Sequence, residues 1–239
     1  MRSMLTHVSA AAIVLLCAGY SQGASLRVAP TNLELIAPDS AAVLNLRNDA
    51  KRPINVQVRV FRWRQAGGVE QLEPTSDVVA SPPSTRIGPN ADYVVRVVRV
   101  SKAPVDTEES YRVLVDELPD PSRRKGGTVT LVLRYSVPVF FRNPDAKASD
   151  VSFSVSRTGG RLMLIAHNNG ESRVRLSNLN LVQGGKKLGG RSGLVGYVLG
   201  GATMQWPLGN GKSLAGSPIT LKGQSDRGPF DAPVAIKGR

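Results

Sequence analysis

Histidine and cysteine are almost missing from this chain of 239 residues, which holds two His, one Cys and only 5% aromatics. That scarcity excludes a four-ligand Cys/His zinc site and a disulfide framework. No Ser-His-Asp grouping stands out. Asp116 and Glu117, adjacent within a strand-like run, point to opposite faces and are wrong for a carboxylate pair. We therefore expect neither an enzyme nor a cofactor. Few aromatics also means few stacking platforms of the kind that bind single-stranded nucleic acid. What the chain has in excess is positive charge: 31 Lys and Arg against 18 Asp and Glu, a formal net charge of +13. By itself that number points to an anionic partner.

The first residues read as an export signal. Arg2 supplies a positive start, Val8 to Ala18 form an apolar run broken only by Ser9, and Ser21 and Gly23 put small residues before a cut after Gly23. The run is too short to span a bilayer comfortably. Its removal takes Cys17 and His7 with it, leaving His167 and no cysteine. No later segment approaches a transmembrane length, so no membrane insertion is expected.

Strand signals dominate the rest, and helical periodicity is nearly absent. Alternating or β-branched runs occur at 42–46, 54–63, 93–100, 111–117, 128–141, 151–155, 162–166, 174–182 and 194–199. Turn chemistry separates them, as at Gly67-Gly68, Pro82-Pro83, Gly159-Gly160 and Asn168-Asn169-Gly170. The expected class is all-β, and two sandwiches suit the length better than one. The polar stretch 143–148 is the natural linker, dividing an N-terminal domain (24–142) from a C-terminal one (149–239). Charge divides unevenly near the same place. Residues 24–145 hold 17 basic and 14 acidic side chains, whereas 146–239 hold 13 basic and 4 acidic.

One run is unusual. From Val129 to Val139 every odd position is apolar or aromatic, namely Val129, Leu131, Leu133, Tyr135, Val137 and Val139. An alternation that long is about twice the usual strand. Pro138 cannot donate to a ladder, which suggests a sheet edge or bulge there. A long apolar edge invites aggregation unless something pairs with it. The plainer reading is a core strand whose odd face packs inside its own sandwich.

Four segments in fixed order carry a resemblance: Ser81 to Asn90, Val94 to Val97, Glu109 to Pro119 and Tyr135 to Arg142. They resemble the periplasmic pilus-assembly chaperones of chaperone–usher systems. The Tyr111-Arg112 pair and the Tyr135 to Phe140 form look like the archaic branch, which serves spore-coat-U-like or Csu-type subunits. Leu162 to Gly170, Tyr197 to Gly201 and Trp206 to Leu208 continue the match into the second half. The resemblance implies two immunoglobulin-like sandwiches in a boomerang, a periplasmic location, and delivery of pilus subunits to an outer-membrane usher. It also implies donor-strand complementation. Subunits of such systems lack their last strand, and the chaperone supplies one of its own. The donor side chains are then Val129, Leu131, Leu133 and Tyr135. Burying four such groups contributes about 6–12 kcal/mol gross, much of it offset by the costs of association. The exposed strand also leaves room for self-association of the free protein.

In the better-known branch, two cations clamp the subunit's terminal carboxylate. The matching positions here are Asn32 and Pro138, neither of them cationic. Arg112 and Arg134 are the candidate substitutes, since one guanidinium can fork both carboxylate oxygens. The plain alternative for Arg112 is a surface pair with Asp116 or Glu117, worth little. A function of another class stays open at this point: an exported two-sandwich module binding an anionic polymer or envelope surface through Arg173, Arg175, Lys186, Lys187 and Arg191.

Overall fold

Apolar side chains at every second position commit these runs to strands with one buried face. The computed structural model describes residues 26–119, 132–210, 214 and 218–237, and within them the regular structure is strand throughout. The proposed signal segment lies outside the described residues.

The first unit comprises β1 (Leu26–Ala29), β2 (Leu33–Ile36), β3 (Ala41–Asn48), β4 (Ile54–Ala66), β5 (Val69–Pro74) and β6 (Val78–Ser81). It continues with β7 (Ser84–Ile87), β8 (Asp92–Arg99), β9 (Glu108–Leu118) and β10 (Arg134–Arg142). One sheet has the order β1-β3-β8-β6, and the other β2-β10-β9-β4-β5, with β7 also on β4. Their inner faces meet in one core, with Leu44, Leu46, Val95 and Val97 against Val56, Val58, Val113, Val115, Val137 and Val139. The pairing of β2 with β10 is parallel; the other ladders of this unit are antiparallel.

The second unit holds β11 (Val151–Thr158), β12 (Arg161–Asn168), β13 (Val174–Gln183), β14 (Lys186–Val198), β15 (Thr203–Asn210), β16 (Ile219–Ser225) and β17 (Gly228–Ile236). They form one path, β14-β13-β16-β17-β11-β12-β15, around a separate core that includes Leu164, Leu176, Leu181, Trp206 and Leu221. The path folds back on itself, so its two end strands touch. A Cβ on Gly189 of β14 would stand 2.4 Å from the Leu208 carbonyl oxygen of β15, and only glycine fits there. The architecture is that of two immunoglobulin-like sandwiches.

Each unit is tied at one corner by a fully buried asparagine. Asn48 donates its amide to the carbonyls of Arg52, Ile87 and Gly88, and its Oδ1 accepts from the Ala50 N–H. Asn168 donates to the carbonyls of Ser172, Val198 and Leu199, and accepts from the N–H groups of Asp150 and Gly170. Both residues close a strand and open a turn, and both satisfy carbonyls in loops and at strand ends.

The sequence patterns find many of the core strands and miss others, among them β15 and β16 of the second core. β1, β2, β6 and β7 have four residues each, too few to show a period. β5 is exposed at every position, so it has no inward face to betray it. β17 carries prolines at 229 and 233, which read as breakers.

Candidate functional site

The long alternating run ends in β10, and its neighbours explain its character. β9 pairs with β10 along its whole length, from Arg134↔Asp116 to Arg142↔Glu108. On the other side β2 covers only Val139 to Arg142. From Arg134 to Pro138 that edge has no partner strand among the described residues. Pro138, which lacks an N–H, stands where the open stretch meets the covered one. The Glu117 N–H donates to the Leu133 carbonyl at 2.9 Å, so contact with β9 continues beyond the regular strand.

The odd face divides into two parts. Val137, Val139 and Phe141 belong to the core of their own sandwich, which is what the plainer reading expects. Leu133 and Tyr135 are half-buried at the margin of that core, and the Tyr135 hydroxyl donates to the Leu26 carbonyl of β1. Tyr135 thereby bridges the two sheets. Val129 and Leu131 lie outside the described residues.

The even face of β10 looks towards the second unit. Ladder register sets Pro138 opposite Arg112 of β9, and Arg112 opposite Phe61 of β4. The Arg112 guanidinium therefore rises beside the position where the better-known branch carries a strand cation. It stacks on Trp63 of β4 at 3.7 Å, with Tyr197 of the second unit at 5.7 Å. Its side chain is only 12% exposed, and it makes a long polar contact, Nη2 to Glu70 Oε1 at 3.4 Å. Burial holds its pKa below the ordinary guanidinium value, and Glu70 opposes this only in part. The carboxylate it contacts is Glu70, on the neighbouring hairpin, while Asp116 pairs with Arg59 and Arg134.

Arg134 is differently placed. Its Nε donates to Asp116 Oδ1, while Arg59 donates to Asp116 Oδ2 at 2.7 Å. Burial works to raise the Asp116 pKa, but these two cations outweigh it and hold the carboxyl below its usual range. Asn32 donates to Glu34 at 2.8 Å and offers no charge.

Sequence patterns gave no sign of Glu108 or of the role of Arg173. Arg173, which reads in the sequence as part of a solvated basic face, is 9% exposed and bonds Glu108 of β9 through both its backbone N–H and its Nη1, at 2.9 and 2.7 Å. It also contacts Glu34 of β2 and stacks on Phe140 at 3.7 Å. Burial pulls its pKa down, yet the two carboxylates more than offset this. Two arginines thus stack on aromatics in the cleft, Arg173 paired with two carboxylates while its Nε is buried without a partner, and Arg112 paired with one carboxylate at longer range.

Around them the two units are joined. Trp63, Phe140, Tyr197 and Leu199 form a third apolar cluster that draws on both units. Gln65 of β4 donates to the Tyr197 carbonyl and accepts from the Leu199 N–H, each at 2.9 Å. The β4–β5 turn reaches β15, where the Gln205 N–H donates to the Gly68 carbonyl at 3.2 Å. A cavity of about 370 Å³ opens beside this junction, lined among others by Trp63, Gln65, Ser110 and Leu199. The indole N–H of Trp63 is buried with no hydrogen-bond partner.

Among the described residues no cluster of His, Cys, Asp or Glu could hold a metal ion, and no helix is long and apolar enough to cross a membrane.

The fold has close counterparts among solved structures. A chain of the CsuC–CsuE chaperone–tip adhesion subunit pre-assembly complex, from the archaic chaperone–usher Csu pili of Acinetobacter baumannii, superposes with a TM-score of 0.71 at 26% identity. The match covers 90% of this chain and 100% of that one. The YadV chaperone matches with a TM-score of 0.63 at 18% identity, covering 88% of this chain and 100% of that one. The E. coli chaperone DraB matches at 0.60 and 22%, covering 89% and 97%. No curated protein is significantly similar in sequence. The N-terminal-domain model of the pili and flagellar-assembly chaperones matches residues 25–147, more than half of the sequence, and the chain belongs to that family of chaperones.

Proposed function

We propose that this protein is a periplasmic chaperone that stabilises pilus subunits by donor-strand complementation and hands them to an outer-membrane usher. The observation that carries this reading is the uncovered edge of β10 from Arg134 to Pro138, preceded by the alternating residues Val129 to Leu133. An open edge supplies main-chain hydrogen bonds, and an alternating apolar face supplies side chains to a groove that lacks a strand. Val129, Leu131 and Leu133 are the inserting residues. Tyr135, whose hydroxyl is tied to β1, marks the point where the lent stretch joins the chaperone's own core. Cleavage after Gly23, a first domain to Arg142 and a second from Ser149 complete the proposed organisation.

Arg112 is the proposed anchor for the subunit's terminal carboxylate. Of the arginines on this face, Arg134 is engaged by Asp116 and Arg173 by Glu108 and Glu34, while Arg112 has a single long contact to Glu70, which leaves other donors of its five N–H groups for a carboxylate. A carboxylate arriving there meets a charge-assisted, forked donor. The polymer-binding alternative is not favoured, because the family is one of chaperones and Arg173 is already held in an ion pair.

Co-expression with a strand-deficient, spore-coat-U-like subunit tests the proposal. The chaperone should bring the subunit into a one-to-one complex, and Leu133→Glu should abolish the complex while leaving the chaperone folded. An unimpaired complex would remove β10 as the donor. Arg112→Ala should weaken capture of subunits with a native C-terminus. A defect of the same size with a C-terminally extended subunit would rule Arg112 out as the anchor.

A further inference from the structure

We infer that Glu70 is an internal stand-in for the subunit's carboxylate: it occupies Arg112 in the free chaperone and is displaced when a subunit binds. The inference rests on the anchor role proposed for Arg112. Glu70 is the carboxylate within reach of that guanidinium, and the geometry of the contact is that of a placeholder. At 3.4 Å a single N–H···O contact is at the long limit for a hydrogen bond. Arg173, in an equivalent stack on Phe140, shows what a committed pair looks like here: two carboxylates, and a 2.7 Å bond to a Glu108 side chain that is 1% exposed.

The carrier of Glu70 suits release. β5 is the outer strand of its sheet, exposed at all six positions and paired only with β4. Glu70 is 41% exposed, so its carboxylate can return to water at little cost. Arg112 has little such option, since its side chain is 12% exposed and stacks over Trp63 with Tyr197 close by. A desolvated cation without any counter-charge is unfavourable. Glu70 limits that penalty in the free chaperone and then competes with the incoming carboxylate. It therefore sets how much of the anchoring interaction appears as net affinity. Its position adds a link to the second unit: Glu70 faces Gln65 across the ladder, and Gln65 holds the backbone of Tyr197 and Leu199.

The test is a competition. Wild-type and Glu70→Gln chaperones, carrying different tags, are expressed with a limiting amount of a spore-coat-U-like subunit, and the captured ratio is read. A part-exposed ion pair of this kind corresponds to about a two- to fivefold effect, so the variant should be over-represented by that factor. With a subunit extended past its native C-terminus by a short Gly-Ser tag, the two chaperones should capture equally. If Glu70→Gln gains nothing over wild type, or loses, while Arg112→Ala still impairs capture of the native subunit, the stand-in role is wrong and the anchor stands. If Arg112→Ala impairs native and extended subunits alike, the anchor itself is wrong and the stand-in falls with it. Thermal unfolding of Glu70→Gln alone should show a midpoint lowered by no more than about 4 °C, the same small ion-pair contribution read in the free chaperone; a larger drop with no gain in capture would make Glu70 a structural residue only.

Discussion

Replacing Arg173 by Met should uncouple the two sandwiches, because it strands a buried carboxylate. Glu108 is 1% exposed and receives both the backbone N–H and Nη1 of Arg173. Methionine keeps much of the apolar stem and the backbone bond but removes the charge. Breaking a buried pair from one side typically costs about 3–5 kcal/mol, and the lost stacking on Phe140 adds about 0.5–2 kcal/mol. Protonation limits the total. Burial already raises the Glu108 pKa, with Arg173 opposing it, and without Arg173 the rise is larger. A carboxyl whose folded pKa lies above its unfolded value takes up a proton on folding, so its burden on stability fades as pH falls through the folded pKa. The deficit of the variant should therefore be largest near neutral pH and shrink towards pH ~5. Urea unfolding at several pH values measures it, and small-angle scattering reports the relative motion of the units. Glu108→Gln in the same chain should recover part of the loss. A deficit below about 1 kcal/mol, a deficit that grows in acid, or strict additivity of the two substitutions would refute this account of the interface.

Two further outcomes follow from the same contacts. Asn168→Ala leaves buried carbonyls of Ser172, Val198 and Leu199 without their donor and should cost about 2–4 kcal/mol; Asn48→Ala should cost a similar amount, and urea titration of the double variant should find the two additive, since they sit in different cores. Acid should destabilise the first unit through Glu109 and Asp116: burial acts to raise both pKa values, but Arg99 and Tyr111 for the one, and Arg134 and Arg59 for the other, hold them low. Their contribution is present above the unfolded carboxylate range and is lost as pH falls through the depressed folded values, so Glu109→Gln should flatten the acid limb of a stability–pH curve; an unchanged limb would exclude that carboxylate as its source.

Much of this protein follows from short-range pattern. Alternation at Ile54 to Val60, Tyr111 to Val115 and Val137 to Phe141 fixes which faces turn inward, because a strand's side chains alternate and one face must leave water. The same reasoning marks the run before Val139 as longer than its own sandwich needs. Scarce His and Cys exclude a four-ligand Cys/His zinc site and a disulfide framework by count alone. The cleft was not legible in this way. Trp63, Gln65, Glu70, Glu108 and Arg173 are ordinary residues until two chain segments up to 134 residues apart are brought together. Nothing local distinguishes Arg173, which satisfies Glu108, from Arg175, which does not. Arg112 could be picked out as a candidate from its place beside Tyr111, but not as the cation whose carboxylate contact is a long one.

The amino-acid sequence determines that this chain forms strands, where its long apolar run lies, and that a four-ligand Cys/His site is out of reach, since these depend on residue identity and on a period of two. Only the tertiary structure decides that β2 covers one end of β10 and, among the described residues, leaves Arg134 to Pro138 open, and that of three arginines around the cleft Arg112 is held by a single long contact to Glu70. Edges and unpaired charges are properties of what a residue's neighbours fail to supply, and neighbours are assigned by the fold.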